Sequence, residues 1–222
     1  VGVLGGREGL GTGGRVAPGL PGNKEYPHML NSIPHYMRCG RRLTKAGFGV
    51  RRYVETACPG GGVVFTFRIT LGASEIGLVK QDARTLDVTI QWGSIGRGET
   101  IRSIEGRQRW TDLIQTMDPI DLTGDEGFED LADPADGLLP MDDALAVEAL
   151  LTWHEVKKKY TQMCRTHVVG VVSWEAFYAN QTTQYVCGDP SVLLPRAKIS
   201  NPEYRVWLND EFPYRPRKKV KR

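Results

Sequence analysis

VVFTFRITL, residues 63–71, has the pattern that indicates a β-sheet in this chain, because from residue 65 onward its apolar and polar side chains alternate. Such alternation places the two sets of side chains on opposite faces of a β-strand. Residues 86–92, LDVTIQW, repeat the pattern. Both stretches therefore predict half-buried strands with one wet face. Their apolar positions are Phe65, Phe67, Ile69 and Leu71 in the first strand and Leu86, Val88, Ile90 and Trp92 in the second.

The connection between these strands, residues 72–85, leaves their pairing open. We expect the two strands to pair directly, although the connection is long enough to hold another short strand at residues 76–80. Residues 99–105, ETIRSIE, are a further candidate strand. The middle of the chain thus predicts a mainly antiparallel sheet.

Two helices follow from spacing. Residues 141–164, MDDALAVEALLTWHEVKKKYTQMC, carry apolar side chains at helical spacing, with acids at the start and lysines in the second half. A shorter helix is predicted at residues 107–118, with Trp110, Leu113, Ile114 and Met117 on one stripe. The stripe of the long helix is formed by Leu145, Ala149, Trp153, Val156, Tyr160 and Met163.

The last third of the chain predicts a hairpin and then an extension. Residues 166–178 and 182–187 are expected to form two antiparallel strands. Residues 189–216 contain five prolines and are expected to run as extended chain, with one edge strand at 204–208.

Together these elements predict an α+β fold. A single compact domain of mostly antiparallel strands, with one long amphipathic helix and one shorter helix, is expected over residues 25–212. Residues 1–24 hold nine glycines within the first 22 positions and predict a flexible arm that orders against a partner. Residues 118–140 predict an irregular acidic excursion on the surface, and residues 213–222 a basic tail.

Charge is segregated along the chain. Residues 110–156 carry thirteen acids and no Lys or Arg, whereas the last ten residues carry six basic side chains and no acid. Without those six, 23 basic residues stand against 26 acidic ones, so the tail alone converts a slightly acidic body into a chain of net charge +3. Such blocks are typical of interaction surfaces.

Two groups of basic side chains are candidates for phosphate contact. In the first, four residues share one helical face, and Tyr36, Phe48 and Tyr53 are available for stacking; the alternative is a solvated face whose Arg stems cover apolar surface. The second group is the tail, in which residues 215–222 could also bind a nuclear import receptor. The candidates are Arg38, Arg41, Arg42, Lys45, Arg51 and Arg52 in the first group, and Arg215, Arg217, Lys218, Lys219, Lys221 and Arg222 in the second.

Motifs for catalysis, cofactors and metals are incomplete. The glycines at positions 9–14 lack the Lys and Ser or Thr of a phosphate-binding loop, and the acidic excursion has no EF-hand register. His154 and Glu155 begin like a zinc-protease helix, but Lys158 stands where the second His should be. We therefore predict no catalytic residue, no cofactor and no metal, with an enzyme as the minority interpretation.

The four cysteines form no C-x-x-C pair, which removes the spacing of a zinc ribbon. Buried free thiols are the favoured state. Disulfides joining Cys39 to Cys58 and Cys164 to Cys187 would instead accompany a secreted protein. No stretch reaches the run of about 18 apolar residues that a membrane helix needs.

The combination of arms, basic segments and one mixed domain favours a non-catalytic structural protein of a large nucleic-acid-containing assembly. A virion coat or matrix-type protein and a ribonucleoprotein subunit are both consistent with it. Its partners would be nucleic acid, held non-specifically through phosphates, and other subunits, held by the arms and the acidic segment. The expected location is inside the cell or within a virus particle. The nucleus and an organelle are both compatible with the sequence. Alternatives are an accessory subunit of an organellar complex contacting rRNA or lipid, and an enzyme with an unrecognised active site.

Overall fold

The alternating stretch at 63–71 forms the second strand of a four-stranded antiparallel sheet. The structure, a computed structural model, describes residues 33–58, 62–93, 98–121, 138–179 and 183–213. The sheet has the order β1-β2-β3-β4. Its strands are β1 (Phe48–Ala57), β2 (Val63–Leu71), β3 (Ser74–Gln81) and β4 (Val88–Trp92).

β3 separates the two strands that we expected to pair directly, so the expectation of direct pairing was wrong. Phe67 of β2 lies opposite Val79 of β3, and Val79 lies opposite Ile90 of β4. The connection between β2 and β3 is short enough for a tight turn, which lets β3 return beside β2 before the chain reaches β4. β1 was not anticipated, because its apolar and charged residues do not alternate evenly and its register shifts between Arg51 and Val54.

Three helices cover one face of the sheet: α1 (Ile33–Lys45), α2 (Ile101–Gln115) and α3 (Asp143–Met163). Phe67, Ile69 and Val79 from the sheet are almost completely buried in the same cluster as Trp110 and Leu150 from the helices. The Trp110 ring meets Phe48 edge-on, with ring centroids 5.1 Å apart, and its Nε1 donates to Asp143 Oδ1 at 2.9 Å. This burial supplies the main stabilisation of the sheet.

A second cluster surrounds the other half of α3. A three-stranded sheet of order β8-β7-β9 lies there, and Trp153, Val156 and Tyr160 of α3 share the cluster with Phe177 and Phe212. The two clusters thus belong to one compact α+β domain whose halves share α3. The remaining elements are β5 (Ile120–Asp121), β6 (Leu138–Leu139), β7 (His167–Val171), α4 (Trp174–Tyr178), β8 (Thr183–Cys187), α5 (Pro190–Ser200), β9 (Val206–Trp207) and α6 (Leu208–Glu211).

Three local predictions are corrected by helix caps. Residues 101–105 are helical rather than a strand, because Thr100 and Ser103 form a reciprocal capping box that begins α2. The predicted strand over 166–178 ends at Val171, and Ser173 caps α4. Residues 190–200 are a helix rather than extended chain, with Asp189 as N-cap and Pro190 at the first turn.

Other predictions hold. α3 covers most of the predicted long helix, β7 pairs with β8 as expected, and an edge strand is present as Val206–Trp207. The described part of the chain contains six helices rather than two. None of its helices is long and apolar enough to cross a membrane.

The terminal predictions and most of the acidic excursion fall outside the described residues. This applies to the arm at 1–24, to the basic residues from Arg215 to the end, and to residues 122–137. The ends of the excursion are described, and there Ile120 lies opposite Leu139 in the short β5–β6 ladder.

The cysteines are all unpaired, so neither of the two disulfides is present. Cys39 and Cys164 are buried as expected, whereas Cys58 is partly exposed and Cys187 is exposed. The prediction of burial was therefore wrong for Cys187, which ends the edge strand β8.

Candidate nucleic-acid interface

Arg41 of α1 makes contacts within the fold. Its Nε lies 3.1 Å from Glu211 Oε1, and its Nη2 donates to Glu211 Oε2 at 3.3 Å. The guanidinium also lies over the Trp174 ring, 3.5 Å from the centroid, and only 15% of the side chain is exposed. Such a pair of contacts holds a guanidinium in a fixed plane. Arg41 therefore joins α1 to α4 and α6, which is a packing role.

Of the other three basic residues of α1, one contacts a neighbouring helix and two are exposed. Arg42 donates from Nη1 to the Thr116 carbonyl and from Nη2 to Thr116 Oγ1, both at 3.0 Å, and so ties α1 to the end of α2. Arg38 and Lys45 are exposed and make no ion pair with any described residue. The four residues thus share one helix but do not form one free cationic patch.

Arg51 lies on β1, and the register joins it to a second arginine. Arg51 is directly opposite Arg68 of β2, which is opposite Leu78 of β3, which is opposite Gln91 of β4. The next row in the same face contains Lys80, between Thr66 and Thr89. Residues that alternate with the buried Phe67, Ile69 and Val79 point away from the helices. We call Arg51, Arg68 and Lys80 the basic sheet face.

The basic sheet face carries a cross-strand pair of like charge, Arg51 and Arg68, and no carboxylate of the described residues makes an ion pair with either. Like charges directly opposite one another on adjacent strands destabilise a sheet. The nearby acid, Glu75, lies 3.3 Å from Arg52, a residue held at a φ of 52°. Arg51 donates to the Ala73 carbonyl at 3.1 Å, which fixes the guanidinium without neutralising it. An anion over this face would offset the repulsion between Arg51 and Arg68.

The aromatic side chains expected to stack with a ligand are mostly unavailable. Tyr36 is 6% exposed and Phe48 is 2% exposed, so both belong to the core and that expectation was wrong for them. Tyr53 is partly exposed, and its ring stacks on Phe65 with centroids 6.4 Å apart. Burial and a hydrogen bond to Glu55 raise the Tyr53 pKa, so its hydroxyl stays protonated and donates to that carboxylate at 2.8 Å.

Arg68 and Lys80 were not among the basic residues predicted from the sequence to contact phosphates. Arg68 is one of the polar residues in the alternating stretch that predicts β2. The alternation therefore indicated that its side chain lies on the solvent-facing side of the strand. What the sequence lacked was the register, which places Arg68 beside Arg51.

A Cys–His contact on α1 has the residue types of a nucleophilic pair. Cys39 Sγ lies 3.3 Å from His35 Nε2, one helical turn away. Burial raises the pKa of Cys39 to about 11, while burial and Arg38 lower the pKa of His35. A reactive cysteine instead needs a lowered pKa and access to solvent, and Cys39 is 5% exposed. The contact therefore stabilises α1 with a protonated thiol.

Within the described residues, no group of three or more His, Cys, Asp or Glu side chains is arranged to hold a metal ion. The basic residues of the tail lie beyond those residues, and their contact with phosphates stays a prediction. No protein-family model, curated protein or solved structure matches the chain. The charges and the register of the sheet are therefore the basis for a functional proposal.

Proposed function

We propose that the chain is a non-catalytic structural subunit of a large assembly that contains nucleic acid, as a virion coat or matrix-type protein or a ribonucleoprotein subunit. In the folded domain, the phosphate contacts are made by the basic sheet face. The observation that supports this is the direct cross-strand pairing of Arg51 with Arg68, next to the row of Lys80.

The chemistry of this face suits a phosphate backbone. A guanidinium presents a planar fork of donors that matches phosphate oxygens, and Lys adds a point charge. Adjacent strands lie about 4.8 Å apart, so a single chain of phosphates can contact more than one of these cations. The polar neighbours Thr66, Thr89 and Gln91 provide further hydrogen-bonding groups in the same rows.

Such binding carries little sequence preference, because phosphate contacts position a nucleic acid without distinguishing its bases. The buried Tyr36 and Phe48 offer no stacking platform that would add preference. The basic tail would contribute more charge to the same polymer. Contacts of this type are expected to weaken steeply as salt rises, because bound counterions are released.

The test replaces Arg51 and Arg68 by Gln and measures the affinity for a single-stranded oligonucleotide over a range of salt concentrations. Each lost phosphate contact should reduce the slope of log affinity against log salt by about 0.7. The double variant R51Q/R68Q should therefore have a slope shallower by roughly 1.4 than the parent chain.

The matched control is R102Q/R109Q, which removes the same charge from exposed positions of α2, the helix packed on the opposite face. Its slope should stay close to that of the parent chain. Equal slopes for both double variants would remove the basic sheet face as the contact surface. Thermal unfolding of both variants verifies that the fold is intact.

A further inference from the structure

A cleft of about 470 Å³ lies between the second half of α3 and the start of β1. Three of its lining residues, Phe48, Gly49 and Val50, belong to β1, which is an edge strand of the four-stranded sheet. The side chains that α3 supplies recur at intervals of three or four residues, so they form one stripe along the helix. Its lining includes Lys157, Lys158, Thr161, Thr44, Phe48 and Val50.

The cleft is cationic. Lys157 and Lys158 line it, and among the described residues no carboxylate does. Lys157 makes no ion pair with a described residue. Lys158 lies 3.4 Å from Glu155, but both side chains are well exposed, at 69% and 47%. An exposed pair of this kind contributes little and exchanges readily, so Lys158 can turn toward an anion.

The cleft also provides uncharged donors and an apolar floor. Thr44 and Thr161 line the cleft together with the lysines, and the floor is formed by Phe48, Leu150 and Val50, of which Val50 is partly exposed. His154 lines the same cleft. Burial lowers its pKa, Lys158 and Lys157 lower it further, and Glu155 opposes them, so the imidazole is largely uncharged near neutral pH. The cleft thus combines cations, neutral hydrogen-bonding groups and an apolar surface.

We propose that this cleft binds a small phosphate ester of the nucleoside monophosphate class. Lys157 and Lys158 hold the phosphate, with the Thr161 hydroxyl as a further donor, and the uncharged part of the ligand lies toward the partly exposed Val50. The volume is within the range of about 300 to 1,000 Å³ that is usual for small-molecule sites. The site is separate from the basic sheet face and does not depend on the proposed contact with nucleic acid.

The test measures binding to the intact chain by isothermal titration, with AMP, inorganic phosphate and adenosine as three separate probes. AMP should bind with one site per chain, inorganic phosphate more weakly, and adenosine not detectably. The variant K157Q/K158Q should reduce AMP affinity by about tenfold or more, because charge-assisted hydrogen bonds to phosphate are lost.

The control is again R102Q/R109Q, which removes the same net charge and should leave AMP affinity unchanged. Absence of AMP binding to the parent chain, or equal losses in the two double variants, would overturn the proposal. Equal affinities for AMP and inorganic phosphate would overturn the assignment of an ester ligand. Thr161→Val offers a second variant, and its AMP affinity should fall without any change in net charge.

The oligonucleotide experiment separates this proposal from the proposed function. AMP affinity should be unchanged in R51Q/R68Q, because both substitutions lie on the basic sheet face. If K157Q/K158Q weakens oligonucleotide binding while the parent chain does not bind AMP, the cleft belongs to the nucleic-acid interface and the present proposal is wrong. If AMP binds and the salt slopes do not change in R51Q/R68Q, the cleft stands and the proposed function fails.

Discussion

Gly40 lies where α1 and α3 cross, and it shows how a single residue sets the distance between two helices. A Cβ at this position would collide with the Ala149 carbonyl oxygen and would lie 2.6 Å from Trp153 Cβ. Both obstacles are fixed to the backbone of α3, so a flexible side chain cannot move aside. The close approach in turn brings the α1 side chains onto both hydrophobic clusters.

Gly40→Ala should destabilise the protein by about 1 to 3 kcal/mol, the usual cost of overpacking a well-filled interior. At an exposed helix position the same change stabilises a protein by about 1 kcal/mol. The sign of the stability change therefore distinguishes a close helix crossing from an exposed position. Chemical denaturation measures the difference. The control is Gly62→Ala, where a Cβ meets nothing within 4 Å. A stabilised G40A variant would contradict the close crossing.

Arg41 offers a second prediction at the residue scale, because its contacts to Glu211 and Trp174 assign it to packing. Arg41→Gln should lower the free energy of unfolding by about 2 kcal/mol, the usual contribution of a charged hydrogen bond. The slope of oligonucleotide affinity against salt should not change. Its neighbour Arg38 is exposed, and Arg38→Gln should leave stability within about 0.5 kcal/mol. A flattened salt slope without loss of stability in R41Q would restore Arg41 to the binding surface.

At the scale of elements, α3 is the helix that both clusters share. Leu150 belongs to the cluster under the four-stranded sheet, whereas Trp153, one turn later, belongs to the cluster around β7. The Trp153 ring lies 5.7 Å from the Phe212 ring and 6.4 Å from the Phe177 ring, between centroids. Its stripe was predictable because apolar residues from Leu145 to Met163 recur at helical spacing over about five turns.

Trp153→Ala should destabilise the protein by about 3 to 5 kcal/mol, since it removes a large ring that is 2% exposed. Lys157→Ala, on the exposed side of the same helix, should change stability by no more than about 0.5 kcal/mol. Urea denaturation of both variants measures these differences. A loss below about 1 kcal/mol for W153A would show that the second cluster is not packed as described.

β1 and α5 show where sequence patterns lose their power at this scale. β1 contains a register shift, which breaks the alternation on which strand prediction depends. α5 contains Pro195 and has no buried residue, so no apolar stripe identifies it; only its cap, Asp189 followed by Pro190, was a signal. Patterns predict elements that bury one regular face, and neither of these does so.

At the scale of the whole molecule, two different sources of positive charge have to be separated. The basic sheet face is built by pairing two strands, whereas the tail is basic by composition alone. Deletion of residues 215–222 removes six cations and should flatten the salt slope by roughly 4 to 5, if each contacts a phosphate. The midpoint of thermal unfolding should hardly change. An unaltered slope would exclude the tail from nucleic-acid contact.

The α+β class, the strands at β2 and β4, the long helix α3 and the segregation of charge can all be predicted from the amino-acid sequence alone. These features follow from local periodicity and composition, which each short stretch carries on its own. The tertiary structure decided that β3 separates β2 from β4, that Arg41 turns inward to Glu211, and that Arg51 lies opposite Arg68. Those outcomes depend on which distant segments come together, and burial of the shared core selects them only when the whole chain folds.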